Sequence, residues 1–403
     1  MRIVFVGGLF PDVQRKEILE RSKGVIQNAA DSFQFGLLKG LDAVVDDGIE
    51  ILNLPFVGSY PARYTHAYFP GCFDKLFKKT SVKGIGFLNI SIIKHFSRFF
   101  SLLNALRKIR FSSDDVLMMY SVHLPFLAAA YFLKKIRKPY PKVCLIVPDL
   151  PEHMSDSKDI LYRLFKRIDV FLIDKLLGSV DCYVLLTSAM AERLGVTEQR
   201  FVVVEGVAVE PEVHADQVES DRRIVFYSGT LARRYGVCDL VSAFREISAP
   251  DCELWICGDG DSREYIESVA SQDPRVKYLG QLPRDQVIKI QHQATLLVNP
   301  RSAEGLYTRY SFPSKIMEYM VSGRPVVMHR LPGVPAEYYD HCYAPRTGDT
   351  QGLKECLRHV LSLDEDKLIE VGSSAKRFIL ENKSSTSQGA KIKDFLKRVL
   401  HEE

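Results

Sequence analysis

Ser311-Phe-Pro-Ser-Lys-Ile-Met-Glu-Tyr-Met-Val-Ser-Gly-Arg-Pro-Val-Val327 is the stretch on which the reading of this chain turns. Pro313 has a fixed φ suited to a first helical turn and has no N–H to leave unpaired there. Ile316, Met317, Met320 and Val321 follow at spacings that mark one face of a helix. Gly323 is placed for a left-handed cap, and Pro325-Val-Val then opens a short strand. The N–H groups of Ser314, Lys315 and Ile316 would point out of the helix start beside the Lys315 ammonium. Dipole, free donors and a cation together suit an anion of the diphosphate type. Glu318, four residues after Ser314 on the same face, is placed to take two hydroxyls of a ribose. A plain capped helix packed on a sheet is the competing reading for Pro-Ser-Lys alone.

The whole run resembles the nucleotide-binding segment of the GT-B glycosyltransferases, specifically the retaining family 4, whose bacterial members elongate surface polysaccharides. The resemblance covers most of the second half in residues and the first half more in layout. It implies an α/β chain of GT-B architecture, two Rossmann-like domains facing across a cleft. Alternation of short β-branched runs with longer helical patterns argues for the same parallel sheets and crossover helices.

Strands are expected at Ile3–Val6, Ile49–Leu54, Val116–Tyr120, Val143–Val147, Cys182–Leu186 and Phe201–Val204. The helices between them are expected at Ala29–Leu41, Ile92–Arg110, Pro125–Lys135, Ile160–Leu177 and Ala189–Leu194. A polar stretch, Glu210–Arg223, reads as the linker. Beyond it come strands at Ile224–Tyr227, Leu254–Cys257, Val276–Leu279, Leu296–Val298 and Val326–Met328. Helices at Cys238–Ile247, Glu264–Ser268, Arg284–Gln291, Ser314–Val321 and Gly352–Leu361 alternate with them. The expected division is 1–207 for an acceptor-binding domain, 208–385 for a nucleotide-sugar-binding domain, and 386–403 for a helix crossing back to the first.

Tyr227-Ser-Gly-Thr-Leu-Ala-Arg-Arg-Tyr-Gly-Val237 follows the first strand of the second half. Gly229 permits close approach of backbone to a ligand, and Arg233 and Arg234 offer guanidinium forks for phosphate oxygens. The family's loop of Gly-Arg-Leu, three residues and Lys-Gly departs here: Thr230 stands in the Arg position and Tyr235 in the Lys position. Either arginine can supply the displaced charge, with Arg234 nearer the Lys position; exposed arginines on a bare strand-to-helix turn are the alternative. By the same resemblance the Gly258 turn of Trp255-Ile-Cys-Gly-Asp-Gly260 lies near the nucleotide, and the backbone at Leu282 meets the base edge. The family's first glutamate would fall at Tyr310, so Glu304 in Asn299–Tyr310 is the substitute, unless backbone donors of Ser311–Ser314 hold the sugar instead. Arg301 and Arg309 are secondary phosphate candidates.

In the first half, His123 of Met119-Tyr-Ser-Val-His123 runs off the carboxyl end of a strand, where ligands bind in parallel sheets. The resemblance implies contact with the donor sugar or its acceptor; a structural histidine is the other reading. Asp149, Glu152 and His153 of Pro148-Asp-Leu-Pro-Glu-His153 are candidates for acceptor hydroxyls, or solvated charges on a stiff turn. Gly7-Gly8 gives a ligand room without matching a dinucleotide fingerprint, which makes Gly8 an acceptor-side candidate.

Composition limits the rest. A chain of 403 residues with 46% hydrophobic and 26% charged content suggests two or three packed domains of about 150 residues. Net charge of +4 does not suggest nucleic acid as a partner. The excess is local: Lys75, Lys78, Lys79, Lys83, Lys94, Arg98, Arg107, Lys108 and Arg110 stand in residues 75–110 with no acidic residue among them. Interleaved Phe87, Ile92, Ile93, Phe96, Phe99 and Phe100 make this a surface for anionic lipid, or a basic helix whose apolar side is core. No apolar run reaches the roughly 20 residues that span a bilayer, and Met1–Val6 reads as a strand rather than a leader. The eight cysteines have no zinc spacing, so reduced thiols of a cytoplasmic protein are expected, and residues 75–110 would hold it peripherally on the inner face of the plasma membrane.

The resemblance implies a retaining transferase acting on a nucleotide-diphosphate sugar, with a UDP-sugar preferred, and on a lipid-linked or oligosaccharide acceptor. It places Lys315 and Arg234 with His123 in the catalytic roles and Glu318, Ser314, Arg233 and Gly229 on the donor, with no metal and no cofactor. A nucleotide-sugar epimerase of the same fold and a non-catalytic partner subunit are the alternatives.

Overall fold

The computed structural model describes residues 1–24, 26–150, 170–211 and 222–401. The chain divides into two units, Met1–Val207 with Ser385–Glu403, and Ala208–Ser384.

In the first unit, aliphatic runs too short for helices, such as Ile3–Gly7, Val116–Tyr120 and Cys182–Leu185, form strands buried on both faces, as parallel sheets require. The strands are β1 Ile3–Gly7, β2 Ile49–Asn53, β3 Tyr68–Phe69, β4 Phe73–Lys75, β5 Ser81–Gly84, β6 Phe87–Leu88, β7 Val116–Tyr120, β8 Lys142–Val147, β9 Cys182–Leu185 and β10 Phe201–Val203. Eight of them make one sheet in the order β10-β9-β8-β7-β1-β2-β5-β4, parallel except for β4, and β3 pairs with β6 in a separate ribbon. β1 lies between β2 and β7, with Val4 opposite Glu50 and Leu117, and all five of its residues are buried. The carboxyl ends of β1, β2, β7 and β8 therefore lie side by side.

The helix Ser385–His401 packs on Asn28–Val44 through Ile392, Phe395 and Leu396. Two glycines allow the close approach. A Cβ on Gly40 would fall 1.7 Å from the Ser385 carbonyl oxygen, and one on Gly389 would fall 2.3 Å from the Gly40 backbone.

The second unit holds β11 Arg223–Ser228, β12 Cys252–Cys257, β13 Val276–Tyr278, β14 Leu296–Asn299 and β15 Val326–Met328, all parallel, in the order β13-β12-β11-β14-β15. Alternation divides its core: Val225 and Tyr227 face the helices Val237–Arg245 and Thr350–Leu361, while Ile224 and Phe226 face Lys315–Val321 and Glu365–Asn382. Helices Arg263–Gln272 and Arg284–Gln293 complete the crossovers.

All the expected strands and helices on described residues form, within a few residues of their expected ends; of Ile160–Leu177, residues 170–177 are described and helical, and the rest lies outside the described residues. Arg223, expected in the linker, opens β11 instead, and its guanidinium donates to the Leu361 and Leu363 carbonyls. Helices Asp12–Arg21 and Glu365–Asn382 and strands β3 to β6 lie outside the expected set.

The basic stretch 75–110 departs from the reading of a basic helix whose apolar side is core, and two of its cations leave the expected surface. The helix Ser91–Arg107 buries Lys94 and Arg98, along with Leu102, Ala105 and Leu106. Its other face exposes Ile92, Phe96 and Phe100 at 60%, 62% and 63%, together with Ile93. Two of the cations point inward, and the apolar stripe at the start of the helix is not core.

Candidate functional site

In the second unit, four loops leave the carboxyl ends of β11, β12, β13 and β14, and backbone hydrogen bonds tie three of them together. Gly229 N–H donates to the Cys257 carbonyl at 3.0 Å, Leu231 N–H to Asp259 O at 2.9 Å, and Gly258 N–H to Gly280 O at 2.9 Å. Gly258 has φ +143°, and a Cβ there would meet the Gly229 oxygen at 1.9 Å. Its glycine is required by loop packing, whatever the ligand. Gly229 N–H is likewise engaged within the loops. Leu282 N–H reaches the Cys257 thiol, which burial pushes up and which this bond and the nearby Lys315 draw down.

The helix Lys315–Val321 starts at the same end of the sheet. Ile316 N–H donates to the Pro313 carbonyl at 3.0 Å and Met317 N–H to Ser314 O at 3.2 Å, so Ile316 is not one of the free donors. This tight first turn leaves the N–H groups of Ser314 and Lys315 without a partner among the described residues. Lys315 Nζ meets Glu318 Oε2 at 2.9 Å, both side chains about one third exposed, and Arg284 Nη2 stands 4.0 Å from Glu318 Oε1. A partly exposed ion pair of this kind is held weakly, so Lys315 can exchange Glu318 for an anionic ligand at low cost.

Tyr319, not singled out by sequence reasoning, joins helix to loop. Its hydroxyl accepts from Ser228 N–H at 2.9 Å and donates to Ser228 O at 3.1 Å, and burial pushes its phenol up to about 12. It fixes the helix start against the Gly229 loop. Its place directly after Glu318 in the Pro-Ser-Lys helix was the available signal.

Arg233 and Arg234 form an exposed 3-10 turn, anchored by Arg233 N–H on Asp261 Oδ1 at 2.8 Å. Arg234 lies over the Tyr235 ring. Arg301 lies over the Tyr235 and Tyr307 rings at 5.4 and 4.7 Å, bonds Ser311 Oγ at 2.8 Å, and leaves its buried Nε unpartnered. Tyr235, in the place of the family's lysine, thus holds two guanidinium groups. Glu304 is exposed beside Gly305, whose φ is +92°, on the far side of the short helix Leu306–Arg309 from Lys315 in sequence.

In the first unit the strand ends gather Gly8, Tyr120, His123 and Asp149. The structure fills the room expected at Gly8. A Cβ there would overlap the Phe56 ring at 2.4 Å, and Gly8, Leu9 and Phe10 N–H donate to Gln34, Asn53 and Asp31 at 2.9, 2.8 and 2.7 Å. Its glycine serves packing, and the donors of that turn are taken. Asp149 is exposed and near enough to Tyr120 to help raise its phenol, though burial is the larger cause. Glu152 and His153 lie outside the described residues.

His123 lies against Phe126 and Phe56, with ring centroids at 4.5 and 5.9 Å, and its Nδ1 is buried without a partner among the described residues. Burial holds its pKa well below the ordinary value, and the charges of Arg98, His95 and Lys94 push the same way. At neutral pH it is an uncharged imidazole. Lys94 and Arg98, assigned to a surface by the sequence, are the cations beside it. Lys94 donates to the Val57 carbonyl and Arg98 to the Pro55 carbonyl, on either side of Phe56.

Comparison with known proteins agrees with this layout. Residues 222–362 match the family described as glycosyl transferases group 1. Among solved structures, the lipopolysaccharide outer core galactosyltransferase WaaB aligns with a TM-score of 0.65 at 16% identity, over 98% of this chain and 99% of that one. Anabaena Alr3699/HepE in complex with UDP aligns at 0.63 and 14%, over 98% and 100%. The catalytic domain of starch synthase IV from Arabidopsis thaliana, bound to ADP and acarbose, aligns at 0.64 and 12%, over the whole of both chains. No curated protein matches the chain in sequence. At these identities the likeness is one of fold, and the fold is GT-B, with two Rossmann-like units.

Proposed function

We propose that the chain is a retaining glycosyltransferase of family 4, moving a sugar from a nucleoside diphosphate donor to a lipid-linked or growing saccharide. Capsule, O-antigen or exopolysaccharide synthesis is the setting. The observation that carries the reading is the Lys315–Glu318 pair at the first turn of a helix beside the Gly229 loop, inside the segment that matches glycosyl transferases group 1. The second unit takes the donor, and the first takes the acceptor.

A departing diphosphate gathers negative charge as the glycosidic bond breaks. Lys315, the free N–H groups of Ser314 and Lys315, and Arg234 or Arg233 supply the compensating donors, positioned before the reaction. When the phosphate draws Lys315 away, Glu318 is released to hold the ribose and so fixes the bond to be broken. The acceptor hydroxyl attacks from the leaving-group side, and a donor phosphate oxygen takes its proton. This arrangement requires no metal or cofactor. UDP is the preferred nucleotide, consistent with UDP in HepE; the ADP of starch synthase IV keeps the base an experimental question.

The acceptor's lipid suggests where the enzyme works. Ile92, Phe96 and Phe100 face outward on a helix followed by exposed Arg107, Lys108 and Arg110, a pairing of apolar stripe and cations that suits an anionic bilayer surface. Among the described residues no helix is long and apolar enough to cross a membrane.

Thermal melting with UDP, GDP, ADP, CMP and dTDP tests the donor site. Stabilisation by one nucleoside diphosphate, lost in Lys315→Ala and Glu318→Ala, is expected; stabilisation by none would sink the reading. Product anomeric configuration, read by NMR, tests retention.

A further inference from the structure

The buried cations of the first unit have too many donors for the partners they hold. Lys94 is 8% exposed and Arg98 2%. Each bonds one backbone carbonyl, whereas an ammonium has three N–H donors and a guanidinium five. Arg98 Nε and His123 Nδ1 are both buried and have no partner among the described residues. No carboxylate pairs with either cation among the described residues. The Phe87 and Phe56 rings, 4.4 and 5.8 Å from the Arg98 guanidinium carbon, give it only the weaker compensation of an aromatic face.

Buried charge without a counter-charge is costly, and native proteins pair it or give it a ligand. Pinning Pro55 and Val57 would need two neutral donors, not two cations. The cluster also stands where a ligand belongs: Pro55–Val57 follow the carboxyl end of β2, and His123 follows that of β7. His95, exposed and with its ring 6.0 Å from that of His123, marks the solvent side.

We infer that Lys94, Arg98 and His123 form a binding site for a phosphoryl group carried by the acceptor. Ammonium, guanidinium and imidazole offer donors from three directions, matching the terminal oxygens of a phosphate better than the two of a carboxylate. The substrate class is a phosphorylated sugar or a sugar attached through phosphate to a lipid. This rests on the glycosyltransferase reading for the word acceptor; the anion site itself does not.

The test uses the full chain with Lys315→Ala, which closes the anion site of the second unit. Inorganic phosphate, α-glucose 1-phosphate and farnesyl phosphate are titrated while the His123 ring is followed by ¹H–¹⁵N NMR, with glucose as the uncharged control. Phosphorylated probes are expected to shift the His123 ring nitrogens, and glucose is not. Preference for glucose 1-phosphate identifies a soluble acceptor, and preference for farnesyl phosphate a lipid-borne one. Lys94→Met and Arg98→Met should weaken binding about tenfold to a hundredfold each while melting within about 2 °C of the parent. No His123 shift with any phosphorylated probe overturns the site, as do Met variants that melt early yet bind unchanged. Should the Met variants fail to fold, the shift in the parent decides alone. UDP binding by the chain with Lys315 intact tests the donor site separately, so the two failures are distinguishable.

Discussion

Lys315, Arg233 and Arg234, the second unit's candidate phosphate-binding cations, stand at least partly in the open. Lys315 shares a partly exposed pair with Glu318, and Arg233 and Arg234 ride an exposed turn. In the first unit, Lys94 and Arg98 lie beneath the surface, and among the described residues backbone carbonyls, aromatic faces and two histidines surround them. Exposed charges cost little to hold and are easily handed to a ligand. Buried, uncompensated ones are a standing cost that a bound anion would relieve. The same chemistry therefore predicts opposite couplings: function without stability in one unit, and function tied to electrostatics of the fold in the other.

The largest effect should come from Lys315→Ala. Transfer is expected to fall by about a hundredfold to a thousandfold in kcat, with unfolding stability shifted by no more than about 0.5 kcal/mol. A large loss of stability in urea melts would erase the contrast between the units. Next is Tyr319→Phe, which leaves the buried Ser228 N–H without its acceptor and should cost about 1–3 kcal/mol. Its activity loss should exceed that of other equally destabilised variants, because the Gly229 loop loses its tie to the donor helix. Gly389→Val should cost about 1–3 kcal/mol by overpacking against Gly40. As the change lies in the first unit, UDP binding by the second should survive it.

A smaller effect distinguishes the buried cations by pH. Burial, reinforced by Arg98, lowers the Lys94 pKa from 10.5 to about 7. Between those values the unfolded chain keeps a proton that the folded chain, with no anion bound beside Lys94, has released, so this group's contribution to stability rises with pH across that window. Urea midpoints at pH 7 and 9 should show the rise, and Lys94→Met should flatten it. His123, whose pKa lies below its ordinary value, acts the same way lower down, its contribution falling as pH drops below about 6.5. The smallest change in stability, within about 0.5 kcal/mol, is expected for Phe96→Ser with Phe100→Ser, since both rings face solvent. Sedimentation with phosphatidylglycerol vesicles should nonetheless fall sharply; undiminished sedimentation would remove the apolar stripe from the proposed surface.

The candidate site of the second unit was legible because its elements are consecutive. Proline, cation, apolar face, carboxylate and capping glycine all stand within Ser311–Val327, so helical spacing alone places Lys315 three residues from Glu318 on one face. Even there the tight turn that engages Ile316 N–H was invisible, as was the Tyr319 link to Ser228 across 91 residues. Glu365–Asn382 lies outside the expected helices, and Gly372 stands in its middle. In the structure a Cβ on Gly372 would lie 2.1 Å from the Gly323 oxygen, so that glycine answers a packing need.

Hydrophobic period, turn residues and short aliphatic runs determined the strands, most of the helices and the α/β class, because each depends on neighbours a few residues away. Which face of Ser91–Arg107 turns inward was decided only by tertiary structure. Its stripe of Ile and Phe reads from the sequence as a lipid-facing surface or as core, with the cations outside in either case, yet the carbonyls of Pro55 and Val57, more than thirty residues upstream, draw Arg98 and Lys94 inside. Burial of a charge depends on partners distant in sequence, and only the folded chain brings them together.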